Sequence, residues 1–95
     1  MKIYLTAIVK AKPQFKTEVE NILSNMVSQT QHEEACELYT LHQSVEDENT
    51  FVFYEIWKNQ KGLDFHNEQN YIKEFISLVD EKLQEKPLVI KMKLI

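Results

Sequence analysis

The sequence predicts an α+β domain whose strands and helices alternate in the order β-α-β-β-α-β. Three observations predict it. Two eight- or seven-residue runs, Ile3 to Lys10 and Phe51 to Trp57, are built of the β-branched and aromatic residues that suit strands. Two longer segments space their apolar residues three and four apart, as amphipathic helices do. An acidic turn, Ser44 to Thr50, separates two strand-like runs as a hairpin would. At 95 residues, with no internal repeat and no long linker, the chain is one domain spanning residues 1–95.

The elements follow in order. Ile3 to Lys10 is the first strand. Pro13 then opens a helix at a position where its missing N–H costs nothing. Phe15, Val19, Ile22 and Met26 form that helix's apolar stripe, and it should end between Gln29 and His32. Cys36 to Ser44 is the second strand and Phe51 to Trp57 the third. Asn59 suits the N-cap of a short helix reaching Phe65, and Asn67 or Asn70 that of the next. The stripe of the latter is Ile72, Phe75, Ile76, Val79 and Leu83. Pro87 stops it, and Leu88 to Ile95 is the last strand. Two β-α-β halves of this kind make the ferredoxin-like arrangement, an antiparallel sheet with helices on one face.

The third strand raises a difficulty. Strand side chains alternate between faces, yet both of its sets are apolar: Val52, Tyr54 and Ile56 on one side, Phe51, Phe53 and Trp57 with Glu55 on the other. The phase expected here puts Phe51, Phe53, Glu55 and Trp57 on the face away from the helices. Soluble monomers rarely expose such a patch. A second copy of the sheet would cover it, which predicts a symmetric homodimer with an oily cavity beside the interface, a dimeric α/β barrel.

Composition narrows the function. A net charge of −4 argues against a nucleic-acid partner. One glycine leaves no loop to cradle phosphate, and one cysteine leaves no internal disulfide, so a cytoplasmic location is expected. The opening MKIYLTAIVKAK is too short to cross a membrane and lacks a signal-peptide cleavage site, so no membrane role is expected.

Several residues carry possible chemistry. His66, on the short helix, is either a general base at the cavity mouth or a hydrogen-bonded helix histidine. Glu55 is either a carboxylate whose pKa is raised in an apolar cavity, able to accept a proton, or the partner of Lys2, Lys10 or a C-terminal lysine. Trp57 is a pocket wall that stacks on a flat substrate, or a core or interface residue. Phe53, Tyr4 and Thr6 would be further walls, with Ile8 making that wall oily. His42, in phase with Leu38 and Thr40, faces either the cavity or solvent. Cys36 lacks a base that would activate it and reads as buried. His32, Glu33 and Glu34 lack metal-ligand spacing and read as a solvated helix end. Glu46, Asp47 and Glu48 read as a solvated turn.

The pattern FVFYEIWKNQKGLDFH, Phe51 to His66, followed by a helix and a short strand, resembles the antibiotic biosynthesis monooxygenase family. Its core is YEIW, Tyr54 to Trp57, with Leu63 and His66 beyond. EEACELYTLHQS, Glu33 to Ser44, resembles the family's second strand, which carries a tyrosine. The resemblance implies a dimeric barrel and a monooxygenase that needs no flavin, haem or metal, acting on a small planar phenolic or quinol-like compound. His66 and Glu55 would be its bases. The chain also departs from the pattern. Ala35 replaces a common glycine, and Asn70 stands where many members have a second histidine. Trp57 matches the tryptophan of a haem-degrading branch, but Thr6 and Ile76 stand near the places of that branch's Asn and His. Haem degradation in that manner is not implied. A non-catalytic homodimeric ligand-binding module, or an isomerase acting on a small carbonyl compound, would use the same cavity.

Overall fold

The structure is a computed structural model describing every residue from Met1 to Ile95. Its strands are β1 (Ile3–Lys10), β2 (Cys36–Gln43), β3 (Thr50–Trp57) and β4 (Leu88–Met92); its helices are α1 (Lys16–Thr30), α2 (Gln60–Asn67), α3 (Asn70–Ser77) and α4 (Val79–Lys82). The strands form one sheet in the order β2-β3-β1-β4, every neighbour antiparallel. This is the ferredoxin-like α+β fold.

Local chemistry explains most boundaries. Pro13 to Phe15 form a single 3-10 turn, and the α-helix proper starts at Lys16. Val19, Leu23 and Met26 of α1 are buried, while Phe15 and Ile22 pack at the core's edge. The stripe is thus rotated slightly from the expected one, with Leu23 at its centre. Asn59 caps α2: its Oδ1 accepts the Gly62 N–H at 2.8 Å. Neither Asn67 nor Asn70 caps the next helix. Gln69 precedes it without a side-chain cap. The second helical region falls into three pieces rather than two, because Leu78 ends α3 and begins α4. Leu83 then turns extended and bridges to Ala11. β4 stops at Met92, where its pairing with Tyr4 of β1 ends.

The sheet has two unlike faces. Ile3, Leu5, Ala7 and Val9 of β1 lie beneath the helices, in register with Trp57, Glu55, Phe53 and Phe51 of β3. The other face is bare. It carries Tyr4, Thr6 and Ile8 beside Ile56, Tyr54 and Val52, flanked by Leu38, Thr40 and His42 on one side and by Leu88, Ile90 and Met92 on the other. The expected phase is therefore inverted. Phe51, Phe53, Glu55 and Trp57 face the helices and are at most 4% exposed. With two apolar sets on one strand, alternation separates the faces but does not say which is covered. The larger aromatic set won because it buries more area under the helices.

Gly62 shows how closely α2 meets the sheet end. A Cβ there would collide with the Cβ of Ala35, whose carbonyl oxygen accepts the Lys58 N–H at 2.9 Å. No residue of the chain has positive φ, so this glycine is required by space and not by backbone angle. Gly62→Ala is expected to lower stability by about 1–3 kcal/mol through overpacking, read as a shift in urea midpoint. Adding Ala35→Gly should restore it, leaving the helix-propensity gain of Ala.

Candidate functional site

Beneath the helices lies a cavity of about 410 Å³. Its walls are mostly apolar: Leu5, Ala7 and Val9 from β1, Phe53 from β3, Leu63 from α2, and Ile72 and Phe75 from α3. Three buried polar side chains open onto it: Tyr39 of β2, Glu55 of β3 and His66 of α2. Exposed polar residues mark its mouth. There Lys91 Nζ donates to Gln60 Oε1, and Gln60 Nε2 donates to Asp64 Oδ1, each at 2.8 Å.

Strand alternation delivers Glu55 and Trp57 to the same side, two residues apart, and Trp57 Nε1 donates to Glu55 Oε1 at 2.8 Å. No lysine reaches this carboxylate: Lys2 pairs with Glu37 and Lys10 with Glu85. Burial therefore dominates and pushes the Glu55 pKa up to about 7, with the nearby Glu33 charge adding to it and the Trp57 hydrogen bond opposing it. Oε2 makes no bond within the chain.

His66 sits in an aromatic cage. Its ring lies 4.5 Å from the centre of Trp57 and 5.5 Å from that of Tyr39. Its Nδ1 is 2.8 Å from Glu33 Oε2, the same oxygen to which the Tyr71 hydroxyl donates. Burial lowers the His66 pKa, and the Glu33 carboxylate works against that. Burial raises the pKa of Tyr39, as does the charge of Glu55; burial and Glu33 do the same for Tyr71. Both stay phenols at ordinary pH. Burial, helped by Glu33 and Glu55, pushes the half-buried Cys36 up to about 11, far from a reactive thiolate.

The expected site residues divide by face. Glu55, His66 and Phe53 come together at the cavity. Trp57 is wholly buried behind it, touching Glu55 and His66 and not lining the wall. Tyr4, Thr6 and His42 lie on the bare face, separated from the cavity by the thickness of the sheet. His42 is exposed, its Nδ1 3.3 Å from the Val52 carbonyl. Thr6 and Trp57 are consequently on opposite faces, and Ile76 is 59% exposed at the cavity edge. The cavity lies within one chain, between sheet and helices, and not between two sheets. The inverted phase of β3 is the reason for each of these differences.

Two residues that the sequence did not nominate meet His66's side of the cavity. Glu33 is no solvated helix end: its side chain is 7% exposed. Nothing in the polar run His32 to Glu34 signals this, since the contact spans 33 residues to His66. Tyr71 had no apolar-stripe role and is recruited by Glu33. Tyr39 was missed as well: alternation puts it on the face opposite Thr40 and His42, but does not say which of the two faces the helices cover. The Glu46 to Glu48 turn is exposed as expected, with Asp47 accepting from the Asn49 N–H and Thr50 hydroxyl. No three His, Cys, Asp or Glu side chains are grouped as a metal site needs. No helix is long and apolar enough to cross a membrane.

Comparison with known proteins adds a family. The family model described as antibiotic biosynthesis monooxygenase matches residues 2–78. A Bacillus subtilis protein, "Putative monooxygenase YcnE", is 35% identical over 81 residues, 85% of each chain. The Synechocystis protein sll1783, uncharacterised, is 29% identical over 90 residues, 95% of this chain; the chain spans only 60% of that relative's length. In three dimensions the crystal structure of PA3566 from Pseudomonas aeruginosa superposes with a TM-score of 0.93 at 23% identity, covering 99% of this chain and 94% of that one.

Glu55 offers a test of the site's electrostatics that needs no ligand. Its carboxyl binds a proton more tightly folded than unfolded, where its pKa is 4.5. The folded state therefore loses stability as pH rises from about 4.5 to about 7. Glu55→Gln removes the ionisable group and keeps an acceptor for Trp57. The variant should be more stable than the parent by up to about 3 kcal/mol at pH 8 and equal to it near pH 4, in paired thermal melts.

Proposed function

The chain belongs to the antibiotic biosynthesis monooxygenase family, and from that premise we propose that it uses molecular oxygen to oxidise a small planar phenolic or quinol-like compound, with no bound cofactor. The observation that carries the reading is a carboxylate poised near neutrality, Glu55, beside His66 in an otherwise oily cavity. A flat aromatic molecule suits walls of Phe53, Tyr39 and Phe75.

The chemistry asks little of the protein beyond a base, orientation and dryness. His66 or Glu55 takes the acidic proton, leaving an electron-rich anion. The anion transfers an electron to oxygen, and recombination forms a carbon–oxygen bond as a hydroperoxide. For an anthrone-type methylene, the O–O bond then breaks. One oxygen atom stays as a carbonyl, and the other leaves as water with both methylene hydrogens. Four electrons pass from substrate to oxygen, so no outside reductant is needed.

The bare sheet face supports a homodimer. Tyr4, Ile8, Val52, Tyr54, Ile56 and Ile90 share one surface, with Ile90 43% exposed. Two copies meeting there would close a barrel and leave each chain its own cavity. Sedimentation equilibrium should give twice the chain mass of 11.3 kDa. Ile56→Asp should give the monomer; a monomeric parent protein at every concentration would refute the pairing.

Oxygen consumption with a panel of quinols and anthrones tests the activity. Turnover should rise with pH through about 7, the Glu55 value. Glu55→Gln should bind the same compound, seen by quenching of Trp57 fluorescence, yet flatten that rise and slow turnover about 100-fold. Binding without turnover across the whole panel would instead favour a ligand-binding module.

A further inference from the structure

We propose that Glu33 is the positioning residue of the cavity: its carboxylate holds His66 in the Nδ1–H tautomer and leaves Nε2 as the basic nitrogen. The inference deepens the oxygenation reading and rests on it for its catalytic part.

Three separate elements converge to build the arrangement. Glu33 comes from the turn after α1, His66 from α2 and Tyr71 from α3. One oxygen, Oε2, receives both the imidazole and the phenol. Glu33 and His66 side chains are only 7% and 5% exposed. No lysine reaches Glu33, and its Oε1 is buried without any partner in the chain. A buried carboxylate with so little compensation is a poor device for stability. It is a good one for orienting a ring, because a carboxylate has no proton of its own to give and must accept Nδ1–H.

The remaining neighbours cannot substitute. Tyr39 from β2 and Trp57 from β3 meet the imidazole with their rings, and Trp57 is itself bonded to Glu55. Tyr71 stays protonated and donates to Glu33. Glu33 is thus the charged group bonded to His66, and Nε2 makes no bond within the chain. When Nε2 accepts the substrate proton, a cation forms in a dry cage, and Glu33 lies 2.8 Å from it. The same proton is returned when the hydroperoxide loses water.

Uniformly 15N-labelled protein, read by long-range proton–nitrogen correlation of the imidazoles, reports the tautomer without any substrate. The parent should show His66 protonated at Nδ1. Glu33→Gln, nearly isosteric, keeps an acceptor and should keep the tautomer. It should nonetheless lower the His66 titration midpoint and reduce kcat about 10- to 100-fold with KM within about twofold. Glu33→Ala should lose the tautomer preference, and Tyr71→Phe should fall between parent and Glu33→Gln. An Nε2–H tautomer in the parent, or unchanged kcat in Glu33→Gln, overturns the proposal. Full turnover by His66→Ala with the Nδ1–H tautomer intact in the parent overturns only the catalytic part, since the tautomer is read independently of oxygen chemistry.

Discussion

A carboxylate buried beneath the helices constrains everything else in this protein. Glu55 occupies a position on β3 that alternation assigns to the core, between Phe53 and Trp57. Folding must take it out of water, and no lysine accompanies it. The tryptophan two residues on supplies the only side-chain bond to it. Burial there is affordable only because the group can hold a proton near neutral pH. Placing it on that strand costs stability and raises its pKa through the same desolvation.

The second half of the site is assembled at long range. Glu33 is more than thirty residues from His66 and Tyr71 in sequence and meets them because the close approach of α2 to Ala35 brings the turn after α1 against the helix. Gly62 is what permits that approach. The same contact that looks like packing therefore sets where the imidazole sits. Trp57 links the two halves, bonding Glu55 with its nitrogen and meeting His66 with its ring. It acts from behind the cavity wall.

The sheet divides labour between its faces. The helix side holds the larger aromatic residues and the ionisable groups. The bare side holds Tyr4, Ile8, Val52, Tyr54 and Ile56, apolar enough to want a cover but free of buried charge. A cavity inside each chain and an apolar surface outside it are compatible uses of one four-stranded sheet.

By itself the sequence determined the order of elements, the hairpin, the Asn59 cap and the family. All depend on local spacing and propensity, which a linear reading captures. It also nominated Glu55 and His66, because those residue types stand out against apolar runs. Which face of β3 the helices cover was decided by the tertiary structure. Both sets of side chains are apolar, so alternation is symmetric, and only competition for buried area breaks the tie. That choice removed Tyr4, Thr6 and His42 from the cavity and put Trp57 behind it. Glu33 and Tyr71 were equally out of reach, since a polar run at a helix end carries no mark of the distant imidazole it will bind.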